Sequence, residues 1–178
     1  MRAGGGRIKG HSFENDIAKL LSVWSKVQWK RVPMSGGWGS KDIASGDIFC
    51  TLEFDKKEPI IIPISIEIKK TQSWELVHFF KDTDSSPIGS WWQQSSDDAR
   101  KSKKIPVVIF SKNYFPNFIM LPSNILPKLS KLLKKKTLFD SYHQINCIVN
   151  KDAVTVLLLS DFLSLVDFKT LLQLRNSS

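Results

Sequence analysis

Between Ser12 and Ser25 the apolar residues Phe13, Ile17, Leu20, Leu21 and Trp24 recur at helical spacing, which predicts an amphipathic helix with Ser12 as its N-cap. Met1 to Gly10 before it is glycine-rich, carries Arg2, Arg7 and Lys9, and reads as a flexible basic arm. Val27 to Val32 predicts a short strand, and Met34 to Gly46, rich in Gly and Ser, a loop. Ile48 to Phe54 alternates as a strand, Asp55 to Glu58 is a turn, and Ile60 to Thr71 is the strongest strand pattern in the chain. Ile64, Ile66 and Ile68 fall on one face of that strand, and Ser65, Glu67, Lys69 and Thr71 on the other. A carboxylate and an ammonium on one face predict that the strand is not buried equally on its two sides.

Downstream, Asp82 to Pro87 reads as a polar loop, Ser90 to Lys101 as a helix, Ile105 to Phe110 as a buried strand and Phe118 to Leu121 as a further short strand. Ser123 to Lys136 sets Leu126, Leu129, Leu132 and Leu133 against a lysine-rich side. Ile145 to Val149 and Val154 to Leu159 predict a hairpin turning near Asn150 and Asp152, with a last helix from Ser160 or Asp161. No repeat or long linker divides the chain. The expectation is one α/β domain over residues 1–178, a central mixed sheet flanked by helices, with residues 122–178 completing it and an acidic cluster at one edge of the sheet.

Charge changes this picture more than composition does. Lys and Arg number 26 against 17 acids, a formal charge of +9, and the pI is near 9.6. Such an excess favours a polyanionic partner through long-range attraction and counterion release. Cys50 and Cys147 lie far apart with no Cys or His at metal-ligand spacing, and His11, His78 and His143 are scattered, so a zinc site is not expected and the thiols suit a reducing compartment. The longest apolar runs, Pro59 to Ile66 and Val154 to Leu159, fall well short of the roughly 20 residues of a membrane helix. A cytosolic location without membrane contact is expected.

The candidate chemistry is Gly46-Asp47-Ile48 followed, after an excursion, by Glu67-Ile68-Lys69. Phosphodiester hydrolysis needs charge neutralisation at phosphate and an activated water, and hard oxygen ligands suit Mg²⁺. Asp47 and Glu67 on neighbouring strands could supply two carboxylates, the carbonyl of Ile68 a further ligand, and Lys69 a cation on the same face. Taken alone, Glu-x-Lys is also what a solvent-facing strand presents as a surface ion pair, worth only about 0–1 kcal/mol.

Context makes the pattern specific. Arg7-Ile8-Lys9-Gly10-His11-Ser12-Phe13-Glu14, Arg31-Val32-Pro33 with Ser35-Gly36-Gly37, Gly46-Asp47-Ile48, Glu67-Ile68-Lys69, and Trp91-Trp92-Gln93-Gln94 with Asp98-Ala99 occur in that order. Together they resemble the PD-(D/E)XK nucleases, especially the archaeal and phage Holliday-junction resolvases, over roughly the first two-thirds of the chain. The resemblance implies a restriction-endonuclease-like fold and metal-dependent cleavage of DNA, with Mg²⁺ as the ion and Mn²⁺ able to substitute. It implies Glu14, Asp47 and Glu67 as metal-site acids with the Ile68 carbonyl, Lys69 as the catalytic lysine, and Gln94 as the helix glutamine with Gln93 as its competitor. Arg7, Lys9, Arg31, Ser35, Lys41 and Lys70 become candidate DNA contacts. Branched DNA such as a four-way junction, a homodimer, and action at a nucleoid or, for a phage enzyme, in the host cytoplasm follow by analogy. Asp42, in a similar Lys-Asp-Ile setting, could take the place of Asp47. A longer segment between Asp47 and Glu67 than the compact resolvases have implies an extended hairpin around Asp55 to Glu58. Rival readings are a PD-(D/E)XK nuclease acting on linear DNA and a non-catalytic DNA-binding module. Gly36 to Lys41 lacks the spacing of a phosphate-binding loop. Trp38, Trp91 and Trp92 could stack on bases, with core packing the alternative for the pair.

Overall fold

The first helix, α1, spans Gly5–Ser25 and buries Phe13, Ile17, Ala18 and Leu21 along one stripe. The coordinates are a computed structural model that describes residues 5–32, 45–55, 57–80, 86–135 and 138–177. Residues 5–10, expected as a mobile arm, are therefore helical, and Ser12 lies inside the helix instead of capping it. The packed stripe fixes the later turns, and extending an existing helix upstream costs far less than nucleating one.

Seven strands follow: β1 (Trp29–Arg31), β2 (Ile48–Cys50), β3 (Ile64–Lys70), β4 (Ile105–Ser111), β5 (Phe118–Pro122), β6 (Gln144–Val149) and β7 (Asp152–Leu158). They form one mixed sheet in the order β1-β2-β3-β4-β5-β7-β6, in which only the β3–β4 pair is parallel. A parallel pair needs a crossover, and α2 (Pro87–Ser102) supplies it. Ser86 caps α2 by accepting from the Gly89 amide, Pro87 occupies its first turn, and Lys103 leaves it in a left-handed conformation. The mixed sheet with helices on both sides is the α/β, restriction-endonuclease-like fold expected.

The sheet buries both faces. Ile48, Ile66, Ile68, Val107, Ile109, Ile119, Leu121 and Leu157 pack with α1 and with α3 (Ile125–Leu132), α4 (Leu159–Leu165) and α5 (Phe168–Gln173). On the other face Val108, Phe110, Met120, Val154 and Val156 pack with Trp91 and Trp92 of α2 and with Trp74 and Phe79. Trp91 and Trp92 are thus core residues, and the Trp92 indole donates to Asp152 at 2.9 Å. The β6–β7 hairpin turns through Asn150 and Lys151, both at positive φ, and the Asn150 side chain donates to the Gly89 carbonyl.

Two expectations about the middle of the chain need correction. The strand expected over 48–54 ends at Cys50 and continues as a 3-10 turn, Thr51–Phe54. The strand expected over 60–71 covers 64–70 only, and Glu67, on its polar face, is as buried as the isoleucines because α2 lies over it. The crossover of a parallel pair covers the second face of its strands, which strand parity alone does not reveal. The excursion between β2 and β3 is tied down by a nearly buried ion pair, Lys104 Nζ to Glu53 Oε1 at 2.5 Å, and by the Ile62 amide donating to the same oxygen. β3 also stands third from the edge, so the acids do not sit on an outermost strand.

Gly46 sets how closely the chain before β2 meets β3. Its φ is +84°, and a Cβ there would stand 2.3 Å from the Ile66 carbonyl oxygen. Gly46→Ala is therefore expected to lower the thermal midpoint by several degrees, from both strain and clash. An unchanged midpoint in a calorimetric scan would mean that this approach is not as close as described.

Candidate active site

The C-terminal half of β3 presents Glu67 and Lys69 toward α2, and their side chains form an ion pair. Glu67 is 1% exposed. Asp47 comes alongside because its backbone is fastened on both sides. Its amide donates to the Ile66 carbonyl at 2.8 Å, and its carbonyl accepts from the Val32 amide at 2.8 Å. The Asp47 Oδ2 then accepts from the Ile68 amide at 2.7 Å. In an extended strand the amide and carbonyl of one residue point the same way, so the Ile68 carbonyl also faces the Asp47 side.

Helix α2 closes the site from above. Its buried positions Ile88, Trp91, Trp92, Ser95 and Ala99 lie on the sheet, and the Ser95 hydroxyl donates to the Val107 carbonyl. Gln94, three residues after Trp91, sits on the rim of that stripe, and its Oε1 accepts from Lys69 Nζ at 3.1 Å. Gln93 points outward and donates to Asp97 instead. Asp98, four residues after Gln94 and so on the same side of the helix, is near enough for its charge to raise both Asp47 and Glu67. Its carboxylate pairs with Lys101 at 3.1 Å, and the sequence resemblance that includes Asp98 assigns it no role.

Glu14 and Arg31 form the remaining corner. Trp29 anchors β1 to α1, its amide donating to Ser22 Oγ at 2.8 Å and its indole to Ser25 Oγ at 3.0 Å. Two residues on, Arg31 emerges on the same side of the strand and lies 3.6 Å from Glu14. Glu14 is held by this cation but is close enough for the Asp47 charge to act on it.

Burial dominates the electrostatics. It pushes Glu67 up to about 7, the Asp47 charge adds to the rise, and Lys69 opposes it. Burial also raises Asp47, against the pull of the Ile68 amide and Lys69, and raises Glu14, with the Asp47 charge adding. A buried Glu67, raised further by the charge of a half-buried Asp47 and with one ammonium beside it, makes an all-oxygen donor set short of positive charge. That suits a hard divalent cation. Among the described residues no three His, Cys, Asp or Glu side chains gather closely enough to cage a metal alone. Asp47, Glu67 and the Ile68 carbonyl would hold such an ion only in part, leaving the rest of its shell to water and phosphate, which is how Mg²⁺ is commonly bound.

Ser35, Lys41, Asp42 and Trp38 lie outside the described residues, and Arg7 and Lys9 fall in the first turns of α1, whose side chains are likewise not described. Lys70 faces away from Glu67, its ammonium 5.1 Å from the Phe13 ring centroid on the α1 side. No helix among the described residues is long and apolar enough to cross a membrane.

Comparison with known proteins identifies the family. The family described as "Phage putative PDDEXK endonuclease" matches residues 5–173. Protein D14 of Escherichia phage T5 is 26% identical over 136 residues, spanning 73% of this chain and 82% of that protein. No solved structure matches the chain. The family match takes in β6, β7 and the terminal helices, beyond the two-thirds in which the sequence alone shows the resemblance. The chain belongs to this phage PDDEXK endonuclease family, and is a nuclease of the PD-(D/E)XK superfamily whose substrate is DNA.

Proposed function

We propose that the protein is a Mg²⁺-dependent endonuclease, with Mn²⁺ able to substitute, that cuts branched DNA such as a four-way junction and works as a homodimer. The observation that carries the reading is the half-buried Asp47 beside the buried Glu67, with Lys69 ion-paired to Glu67 at the end of β3. Asp47, Glu67 and the Ile68 carbonyl hold the cation in this account, with Glu14 contributing from α1. When bound, the ion supplies charge neutralisation at the scissile phosphate and makes water a better nucleophile near neutral pH.

The protein's own groups do the positioning. Lys69, held by Glu67 and Gln94, keeps an ammonium where negative charge develops on the phosphate and orients the attacking water. Gln94 fixes the lysine's rotamer from α2. Arg31 exchanges Glu14 for a DNA phosphate, which frees that carboxylate toward the metal. The surplus of cations draws the polyanion in. Symmetric cutting of two strands calls for two such sites related by a two-fold axis, hence the dimer. Residues 1–178 act as a single nuclease domain in this reading, with residues 122–178 completing the sheet.

Asp47→Ala and Lys69→Ala are expected to lower DNA cleavage at least about a hundredfold while leaving circular dichroism unchanged. Retained cutting by either folded variant contradicts the assignment. On matched substrates, the wild type should cut a four-way junction faster than a linear duplex of the same sequence. Equal rates would move the reading to an enzyme of linear DNA.

The raised Glu67 carboxyl gives a second test, with a definite sign. Its folded value of about 7 lies above the ordinary 4.5. In the metal-free protein its contribution to stability is complete below that ordinary value and is lost as pH rises through about 7. In EDTA, Glu67→Gln should therefore melt at a temperature similar to the wild type in acid and on the order of a few degrees above it at alkaline pH. Adding Mg²⁺ should raise the wild-type midpoint and leave that of Glu67→Gln unmoved. A midpoint for Glu67→Gln below the wild type throughout, in EDTA, would contradict the buried-acid account.

A further inference from the structure

The turn between β4 and β5 leaves the sheet at the strand ends that carry Lys69. In the parallel pair Lys69 stands opposite Phe110 and Lys70 opposite Ser111, and the chain enters the turn at the next residue. The Phe115 amide donates to the Lys112 carbonyl at 3.1 Å and closes a four-residue turn. Its third residue, Tyr114, has φ +66°, a conformation that favours Gly or Asn at that position and strains a tyrosine. Tyr114 gains no packing in exchange, since its side chain is fully exposed.

The turn that presents it is braced. The Ser111 hydroxyl is buried beneath, with the Lys112, Phe115 and Pro116 carbonyl oxygens at 3.2, 3.2 and 3.1 Å, and donates its proton to one of them. Lys112 lies over two rings, its ammonium 4.3 Å from the Phe115 centroid and 5.0 Å from that of Trp74, and donates to the Trp74 carbonyl at 3.5 Å. No carboxylate pairs with it among the described residues, so the turn stays cationic. A rigid turn that accepts backbone strain to hold an aromatic ring in water, beside a cation, is a means of contacting something outside the fold.

We propose that Tyr114 stacks on an unpaired base of the DNA substrate, displayed by the braced Lys112–Phe115 turn at the strand ends that carry Lys69. Every base has a ring face, so such stacking is indifferent to sequence but requires a base free of its duplex neighbours. It therefore selects single-stranded or branched regions beside the cut. Lys112 adds attraction for the adjoining phosphate. The inference rests on the nuclease reading above and names the feature of the DNA that the site takes.

The test uses the full chain in EDTA with two fluorescein-labelled DNAs, one with a single-stranded branch and one the plain duplex, read by anisotropy. Tyr114→Gly suits the positive φ and should fold at least as well as the wild type, so lost binding cannot be put down to unfolding. On the branched DNA, Tyr114→Gly and Tyr114→Ala should bind about five- to a hundredfold more weakly, with Tyr114→Phe within about twofold of the wild type. Duplex binding should be unchanged in all three. Equal binding of branched DNA by all the proteins, or an equal loss on both DNAs, overturns the stacking role. Wild-type protein that binds neither DNA overturns the nuclease reading beneath it, a different failure.

Discussion

Covering two neighbouring carboxylates, Glu67 wholly and Asp47 in part, is the constraint on which the rest of this structure depends. Water would solvate each of them, and the interior offers only a few compensating groups. The Ile68 amide and Lys69 are those compensations for Asp47 and Glu67, and they are not sufficient, since burial still raises both acids. A fold that tolerates this arrangement holds it in place from several directions. Gly46 lets the backbone of Asp47 approach β3 without a Cβ in the way, Val32 and Ile66 clamp that backbone, and α2 covers Glu67. In the proposed function, a divalent cation at this pair would offset the cost of covering the two acids.

The topology turns this constraint into a place where DNA can be met. Because β3 and β4 are parallel and joined by α2, both strands end at the same side of the sheet. Helix α2 returns across them and brings Gln94 to Lys69. On the other face α1 brings Glu14 to Arg31, so the cluster has contributions from both sides of the sheet. The strand ends also launch the turn that carries Tyr114. Chemistry and the proposed base contact are thereby consequences of one crossover.

The sequence is legible where local periodicity decides the outcome. The stripe of α1 from Phe13 onward, the face parity of β3, the helix containing Gln94 and the β6–β7 hairpin can all be read from spacing, within a few residues at their ends. The grouping of Asp47, Glu67 and Lys69 is legible only through the resemblance to the PD-(D/E)XK nucleases, since Glu-x-Lys alone reads equally as a surface ion pair and Asp42 offers a second acid. What cannot be read there depends on partners distant in the chain. The burial of Glu67 comes from α2 lying across β3, and the shortness of β2 from pairing that ends where β1 begins. Asp98 needs the helix to be placed before its helical phase has meaning. Tyr114 looks like one exposed aromatic among many until its φ and the bracing around it are known.

The central claim is that Asp47 and Glu67 jointly await a divalent cation, and diffraction from crystals soaked in Mn²⁺, recorded at the manganese absorption edge, tests it most directly. The account predicts an anomalous peak between the two carboxylates, about 2.0–2.3 Å from an oxygen of each and absent from Asp47→Ala crystals grown alike. Manganese bound elsewhere while this pair stays vacant, or the two side chains found turned apart, would contradict it.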